Sequence, residues 1–268
     1  MNPYVHQIAI GDHDPPRISG YVAEAIASVR AAFPGSQYRL WGRADGEQFV
    51  ADHFGPDVAW AFRCLQPYAY KADLLKLCLL HVHGGWYVDA GVRVLRSPLP
   101  LFDGASPRFV VFRSTGSWDM PWNCSLALLY AEAGSPVFTT AIDLIVANCR
   151  DRSYGINPLS PTMSCFGRAL ALHGDHGELA IGTVVDVEGE AYVRGFAIPP
   201  FGLIAARKPD RIPVGDLVQA GLEGGNNYDV MWKTGAVYGD EPPPGRPAGP
   251  LPRWRSRRRP SSGRWRPG

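Results

Sequence analysis

The stretch His83-Gly84-Gly85-Trp86-Tyr87-Val88-Asp89-Ala90-Gly91-Val92-Arg93 constrains the fold of this chain more than any other. It follows the amphipathic run Lys71-Ala72-Asp73-Leu74-Leu75-Lys76, and its paired glycines read as the stop of a helix. After the stop, a short apolar strand carries Asp89 to its C-terminal end, the place where open α/β sheets bind ligands. A site built this way suits a phosphorylated ligand.

With 268 residues, 46% of them hydrophobic, the chain can bury the core of one large domain or of two small ones. The formal charge of +2 hides an asymmetry, because residues 241–268 hold eight of the 27 basic residues and one of the 25 acidic ones. Residues 1–240 are therefore mildly acidic, which speaks against nucleic-acid binding by the body. Five scattered cysteines with no Cys-x-x-Cys pair argue against a disulfide framework and for a reducing compartment. No basic leader precedes an apolar run, and no run is long enough to span a bilayer, so a soluble, cytoplasmic protein is expected.

Strand and helix signals alternate along the body. Strands are expected at 4–10, 37–41, 86–88, 92–95, 108–112, 181–187 and 203–206. Ser19 is placed to cap a helix running to Phe33, with Val22, Ile26, Val29 and Phe33 at helical spacing. Asp45 and Gln48 suggest a capping box for a short helix to His53, and Pro67 opens the helix that carries Asp73 and Lys76. That helix is apolar around most of its circumference and is expected to be buried. Ser135-Pro136 and Ser160-Pro161 each read as a helix start, and the Pro, Gly, Arg and Trp composition past Gly239 reads as a tail that cannot fold by itself.

The order His6-Gln7-Ile8-Ala9-Ile10-Gly11, then Lys71-Ala72-Asp73-Leu74-Leu75-Lys76, then Gly84-Gly85-Trp86-Tyr87-Val88-Asp89-Ala90-Gly91-Val92 resembles glycosyltransferase family 32, the sugar-binding group with an Asp-x-Asp motif. The match lies in order and spacing over roughly the first hundred residues. This resemblance implies a GT-A-type, Rossmann-like mixed sheet with helices on both faces. Residues 1–240 would form a single nucleotide-sugar-binding domain and 241–268 a disordered tail. By the same resemblance His6, Asp73, Lys76, Gly84, Gly85 and Asp89 belong to the donor site. Asp73 would hold sugar hydroxyls, Lys76 would lie near sugar or phosphate, and Asp89 would be both a catalytic residue and the ligand of a Mn²⁺ or Mg²⁺ ion on the diphosphate. A hard cation wants oxygen ligands and neutralises a leaving diphosphate, so such a carboxylate is chemically apt.

The chain departs from the family pattern at three positions. Gly91 stands where the second aspartate is expected, which leaves Asp89 alone. Ala9 replaces a tryptophan that could stack on the nucleotide base, and Lys76 replaces an arginine, keeping charge but losing the planar fork. Blander readings stand beside these: Asp73 as a solvated helix position, Asp89 as a turn residue before glycine, Arg93 as a surface arginine. His81 and His83 would converge on a metal only from a strand, and a helix running to Gly84 spreads them apart. There is no Gly-x-Ser-x-Gly elbow, no dinucleotide fingerprint and no P-loop.

The expected function is transfer of a sugar, with retention, from a nucleotide-diphosphate donor to a polysaccharide, lipopolysaccharide, lipid-linked or other glycan acceptor. The alternative is a nucleotide-sugar-binding or scaffolding protein that kept the fold after losing catalysis. The tail's eight arginines with Trp254 and Trp265 fit peripheral contact with anionic lipid at the inner membrane face, at about 1 kcal/mol per basic residue.

Overall fold

A computed structural model describes residues 3–102, 107–114, 124–173, 179–186, 194–199, 202–207 and 215–245. Among them nine strands form one mixed sheet. In chain order these are β1 (Tyr4–Ile8), β2 (Gln37–Trp41), β3 (Gly85–Val88), β4 (Val92–Val94), β5 (Phe109–Arg113), β6 (Cys124–Ala131), β7 (Leu179–Asp186), β8 (Arg194–Ile198) and β9 (Gly202–Arg207). Across the sheet they run β2-β1-β3-β6-β5-β7-β8-β9-β4. The helices are α1 (Gly20–Ala32), α2 (Arg43–His53), α3 (Pro56–Cys64), α4 (Tyr68–His83), α5 (Pro136–Asp151), α6 (Met163–His173) and α7 (Tyr228–Thr234). The expected α/β class, a mixed sheet with helices on both faces, is what the chain forms.

Side-chain alternation along the strands divides the core. Val5, Trp86, Val88 and Val92 face one side and pack with Val29 and Phe33 at the end of α1. Ile8 and Tyr87 face the other, where α2 to α6 supply most of the apolar partners. Since β1 pairs parallel with both β2 and β3, their C-terminal ends lie on one edge, and Asp89 follows directly at that edge.

The glycine pair bounding β3 works through backbone geometry. Gly84 caps α4 at φ +63°, and Gly85 continues at φ +95° so close to β1 that a Cβ would stand 2.3 Å from the carbonyl oxygen of Tyr4. Only glycine tolerates both demands. Of the expected caps, Ser135 forms, its Oγ accepting from the Val137 amide. Ser19 makes no side-chain cap, and the Asp45–Gln48 box does not form because α2 starts earlier, at Arg43, where Asp14 from the loop after β1 accepts from the Ala44 amide. The Ser160-Pro161 start is displaced to Met163, with Ser160 bonding backwards to the Ile156 and Asn157 amides.

The elements without a prior assignment are α3, β6, β8 and α7. Strand β6 lies inside the sheet between β3 and β5, buried on both faces, so its run Cys-Ser-Leu-Ala-Leu-Leu-Tyr-Ala carries no alternation to mark it as a strand. The expected tail boundary also shifts. Glu241 is docked, its carboxylate bound at two oxygens by Arg63 and its carbonyl accepting from the Trp60 indole at 2.9 Å. Residues 246–268, with the arginines and tryptophans of the tail, lie outside the described residues. No described helix is long and apolar enough to cross a membrane.

Candidate functional site

Two elements bring the carboxylates together. On α4, Asp73 and Lys76 are three residues apart and so share a face, and β3 places Tyr87 and Asp89 on one side by its two-residue repeat. The Lys76 ammonium joins all of them. It lies 3.0 Å from Asp73 Oδ1, 3.0 Å from Asp89 Oδ1 and 3.2 Å from the Leu126 carbonyl, and 4.4 Å above the centre of the Tyr87 ring. Two 3.0 Å contacts on one nitrogen put the two carboxylate oxygens within 6.0 Å of each other. The Tyr87 hydroxyl donates to Asp89 Oδ1 at 2.7 Å, and Thr162, just before α6, donates to Asp73 Oδ2 at 2.7 Å.

Exposure is graded across this cluster. The Lys76 side chain is 2% exposed, that of Asp73 15% and that of Asp89 33%, so the ammonium is buried and Asp89 is the most open of the three. Burial pulls the lysine pKa down, but Asp89 and Asp73 outweigh it and hold the ammonium above its ordinary value. Burial pushes the Asp73 carboxyl up despite the opposing pull of Lys76 and Thr162. Tyr87 is likewise held well above the usual phenol range, by burial and then by the charge of Asp89.

The C-terminal segment closes the same edge. The Asp12 amide donates to the Gly224 carbonyl at 3.0 Å, and Glu223 reaches His13 at 3.1 Å and Arg17 at 3.2 Å. Asn226 accepts from the Tyr68 amide at the start of α4 and donates to the Gln66 carbonyl, and Asn227 caps α7. This seats Tyr228 against Tyr70, ring centres 5.6 Å apart. Its phenol is raised by burial, Arg207 pulling it down and Asp73, Asp229 and Asp89 pushing it up. Beside this segment, at the C-terminal ends of β1 and β2, lies an open groove of about 630 Å³ lined by Asp14, Arg43, Glu47, Lys71 and Asn226 among others; neither Asp73 nor Asp89 lines it.

Of the residues expected in the site, Asp73, Lys76 and Asp89 are gathered at one point. His6 is not among them. Its ring is 1% exposed, Nε2 bonds the Gly84 carbonyl and Nδ1 accepts from the Trp41 indole, so both nitrogens are spent inside the fold. Burial lowers its pKa to about 4, and it serves as a neutral linker between β1, β2 and the end of α4. Gly84 and Gly85 likewise act through conformation, at the opposite end of β3 from Asp89. His81 and His83 lie in the last turn of α4, as expected for a helix.

Asp89 is the residue expected to hold a divalent cation, and the described residues around it would add few further ligands. Mn²⁺ or Mg²⁺ takes an octahedral shell of oxygens at about 2.1 Å, yet Asp89 Oδ1 already serves Lys76 and Tyr87. A Cβ at Gly91 would stand 2.8 Å from Leu217 Cδ2, the movable end of that side chain, so a second carboxylate there would require Leu217 to shift. Among the described residues no three His, Cys, Asp or Glu side chains form a metal set.

Thr162, Leu126, Leu217 and Tyr70 were not singled out for the site by sequence. Tyr87 could have been, because it stands two residues before Asp89 in a strand and must share its face.

No protein-family model matches the chain, and no curated protein matches it. Among solved structures it is similar to the PaToxG glycosyltransferase, with a TM-score of 0.49 and 16% identity over 64% of this chain and 69% of the other. It is also similar to the galactosyltransferase LgtC in complex with donor and acceptor sugar analogues, with a TM-score of 0.35 and 12% identity over 66% and 72%. An active-site mutant of LgtC gives 0.36 and 12% over the same shares.

Proposed function

We propose that this chain is a GT-A-like glycosyltransferase that moves a sugar from a nucleotide-diphosphate donor to a glycan acceptor. The observation that carries the reading is the meeting of Asp73 and Asp89 on the single Lys76 nitrogen at the C-terminal edge of β1 and β3. These three residues come from the two blocks whose order and spacing resemble glycosyltransferase family 32.

In this reading Asp73 and Asp89 present carboxylate oxygens to the hydroxyls of the donor sugar. Lys76 holds them at fixed separation, and Tyr87 and Thr162 fix their rotation. In the transfer, the bond from the anomeric carbon to the diphosphate oxygen breaks and its electron pair leaves with the nucleoside diphosphate. The acceptor oxygen bonds to that carbon, and its proton is released to solvent. Retention and a polysaccharide, lipopolysaccharide or lipid-linked acceptor belong to the same reading through the family resemblance.

One observation favours the alternative of a binding protein without transfer: Lys76 satisfies both carboxylates internally, as a structural ion pair would. A panel of UDP-, GDP- and other nucleotide sugars, scored for thermal stabilisation and for release of nucleoside diphosphate, separates the two. Stabilisation with slow release supports transfer. Stabilisation with no release, with every acceptor class supplied, supports the binding protein.

A further inference from the structure

The lysine that opens the Lys71-Ala72-Asp73 block takes no part in the Asp73–Asp89 cluster. Two positions apart on α4, Lys71 and Asp73 lie on different sides of the helix, and Lys71 lines the open groove of about 630 Å³. Lys71 is 8% exposed, and its ammonium donates to the Phe62 carbonyl at 2.6 Å and the Arg63 carbonyl at 3.1 Å, two acceptors left open where α3 ends. An ammonium has three hydrogens, so one remains. No described carboxylate forms an ion pair with it; Glu47, which acts on it from a distance, lies 3.9 Å from Arg63 instead. A buried cation without a counter-ion is costly, and an anion would relieve it.

Arg43 lines the same groove. It is the first residue of α2 and half-buried, its guanidinium reaches the Tyr68 hydroxyl, and among the described residues it too forms no ion pair. The carboxylates in the groove wall are engaged elsewhere, Asp14 with the Ala44 amide and Glu47 with Arg63, which Glu241 also holds. One ammonium hydrogen and a guanidinium fork are therefore the open donors, a set matched to the oxygens of a phosphate. The volume is that of a small-molecule site and more than a bare phosphate fills.

We propose that the groove between α2, α3 and the start of α4 binds a phosphate monoester through Lys71 and Arg43, at a site separate from the Asp73–Asp89 cluster.

This site stands independently of the donor reading. The test is calorimetric titration of glucose 6-phosphate, with glucose and inorganic phosphate as controls, into the whole chain, Arg43→Ala and Lys71→Met. The ester should bind, inorganic phosphate should bind more weakly, and glucose should not bind. Each variant should weaken the ester by about tenfold or more. Thermal melting checks that both fold, and Arg43→Ala decides the matter if Lys71→Met melts early through loss of its bonds to α3. Sulfate, which does not titrate near neutral pH, gives an independent readout. Burial brings the Lys71 ammonium down to about 8, Glu47, Cys64 and Cys149 opposing the fall and Arg43 adding to it. Sulfate affinity should therefore drop as pH rises from about 7 to about 9, and Lys71→Met should flatten that drop. Ester binding that Arg43→Ala leaves intact, inorganic phosphate that binds as tightly as the ester, or no binding by any phosphate compound overturns the proposal, and none of these bears on Asp73 and Asp89.

Discussion

Asp73 on α4 and Asp89 after β3 share one counter-ion, each with its Oδ1 3.0 Å from the Lys76 nitrogen. Their separation is therefore set by a side chain that is itself almost fully buried. The arrangement couples the stability of the sheet edge to the geometry of the candidate site.

Removing that counter-ion should be costly. Lys76→Met keeps the volume but leaves two carboxylates with no cation between them, a loss of about 3–5 kcal/mol, and near 10 °C in melting temperature for a domain of this size. Asp73, already raised by burial, would then take up a proton more readily, so the deficit relative to wild type should be larger at pH 8 than at pH 5. A variant that melts like wild type at both pH values would show that the ammonium is not holding the pair.

His6 predicts an acid limb. Its folded pKa of about 4 lies below the ordinary 6.5, so the stability it contributes as a neutral ring is fully present above pH 6.5 and is lost as pH falls toward 4. The loss is about 3 kcal/mol over that window. His83, lowered first by burial and then by the charges of His53 and Arg39, adds in the same direction. Denaturant titrations between pH 7 and pH 4 should show a shallower decline for His6→Gln than for wild type, and parallel curves would count against the assignment.

The two glycines Gly85 and Gly134 should respond differently to alanine. Both have positive φ, but a Cβ at Gly134 meets nothing within 4 Å, whereas at Gly85 it strikes the Tyr4 carbonyl oxygen at 2.3 Å. Gly134→Ala should cost about 1 kcal/mol, the backbone term alone. Gly85→Ala should cost at least about 3 kcal/mol, because β1 and β3 must move apart. Similar urea midpoints for the two variants would contradict this.

The C-terminal strap makes a prediction about truncation. Val237 and Tyr238 are buried in the core, the Gln66 amide donates to the Val237 carbonyl at 2.8 Å, and Arg63 grips Glu241. A chain ending at Gly235 should be less stable than one ending at Gly245 by about 4 kcal/mol, from the loss of two buried side chains. Equal melting temperatures would mean that the strap does not hold α3.

The fold was legible where a periodic signal met a chemical stop. Strand β2 coincides with its expected span, and α4 ends at the Gly84-Gly85 stop. Strand β6 was not, because a strand covered on both faces loses its alternation, and α7 was not, because it is seven residues long and none of its residues is fully buried. In the site, Asp73 and Asp89 were readable from their elements, but their common counter-ion was not. Lys76 stood in the position of a ligand-binding arginine, and only the packing of α4 against β3 turns its ammonium inward. His6 misled because a buried histidine and a ligand-binding one look alike in sequence.

The central claim is that the Asp73–Asp89 pair forms the sugar end of a nucleotide-sugar site. Titration of a nucleotide-sugar panel into wild type, Asp73→Asn and Asp89→Asn, with the matching nucleoside diphosphates alongside, tests it most directly. At least one nucleotide sugar should bind wild type more tightly than its nucleoside diphosphate does, and both variants should lose that preference while keeping the nucleoside diphosphate. A panel in which no nucleotide sugar binds, or in which both variants keep the sugar preference unchanged, would contradict the account.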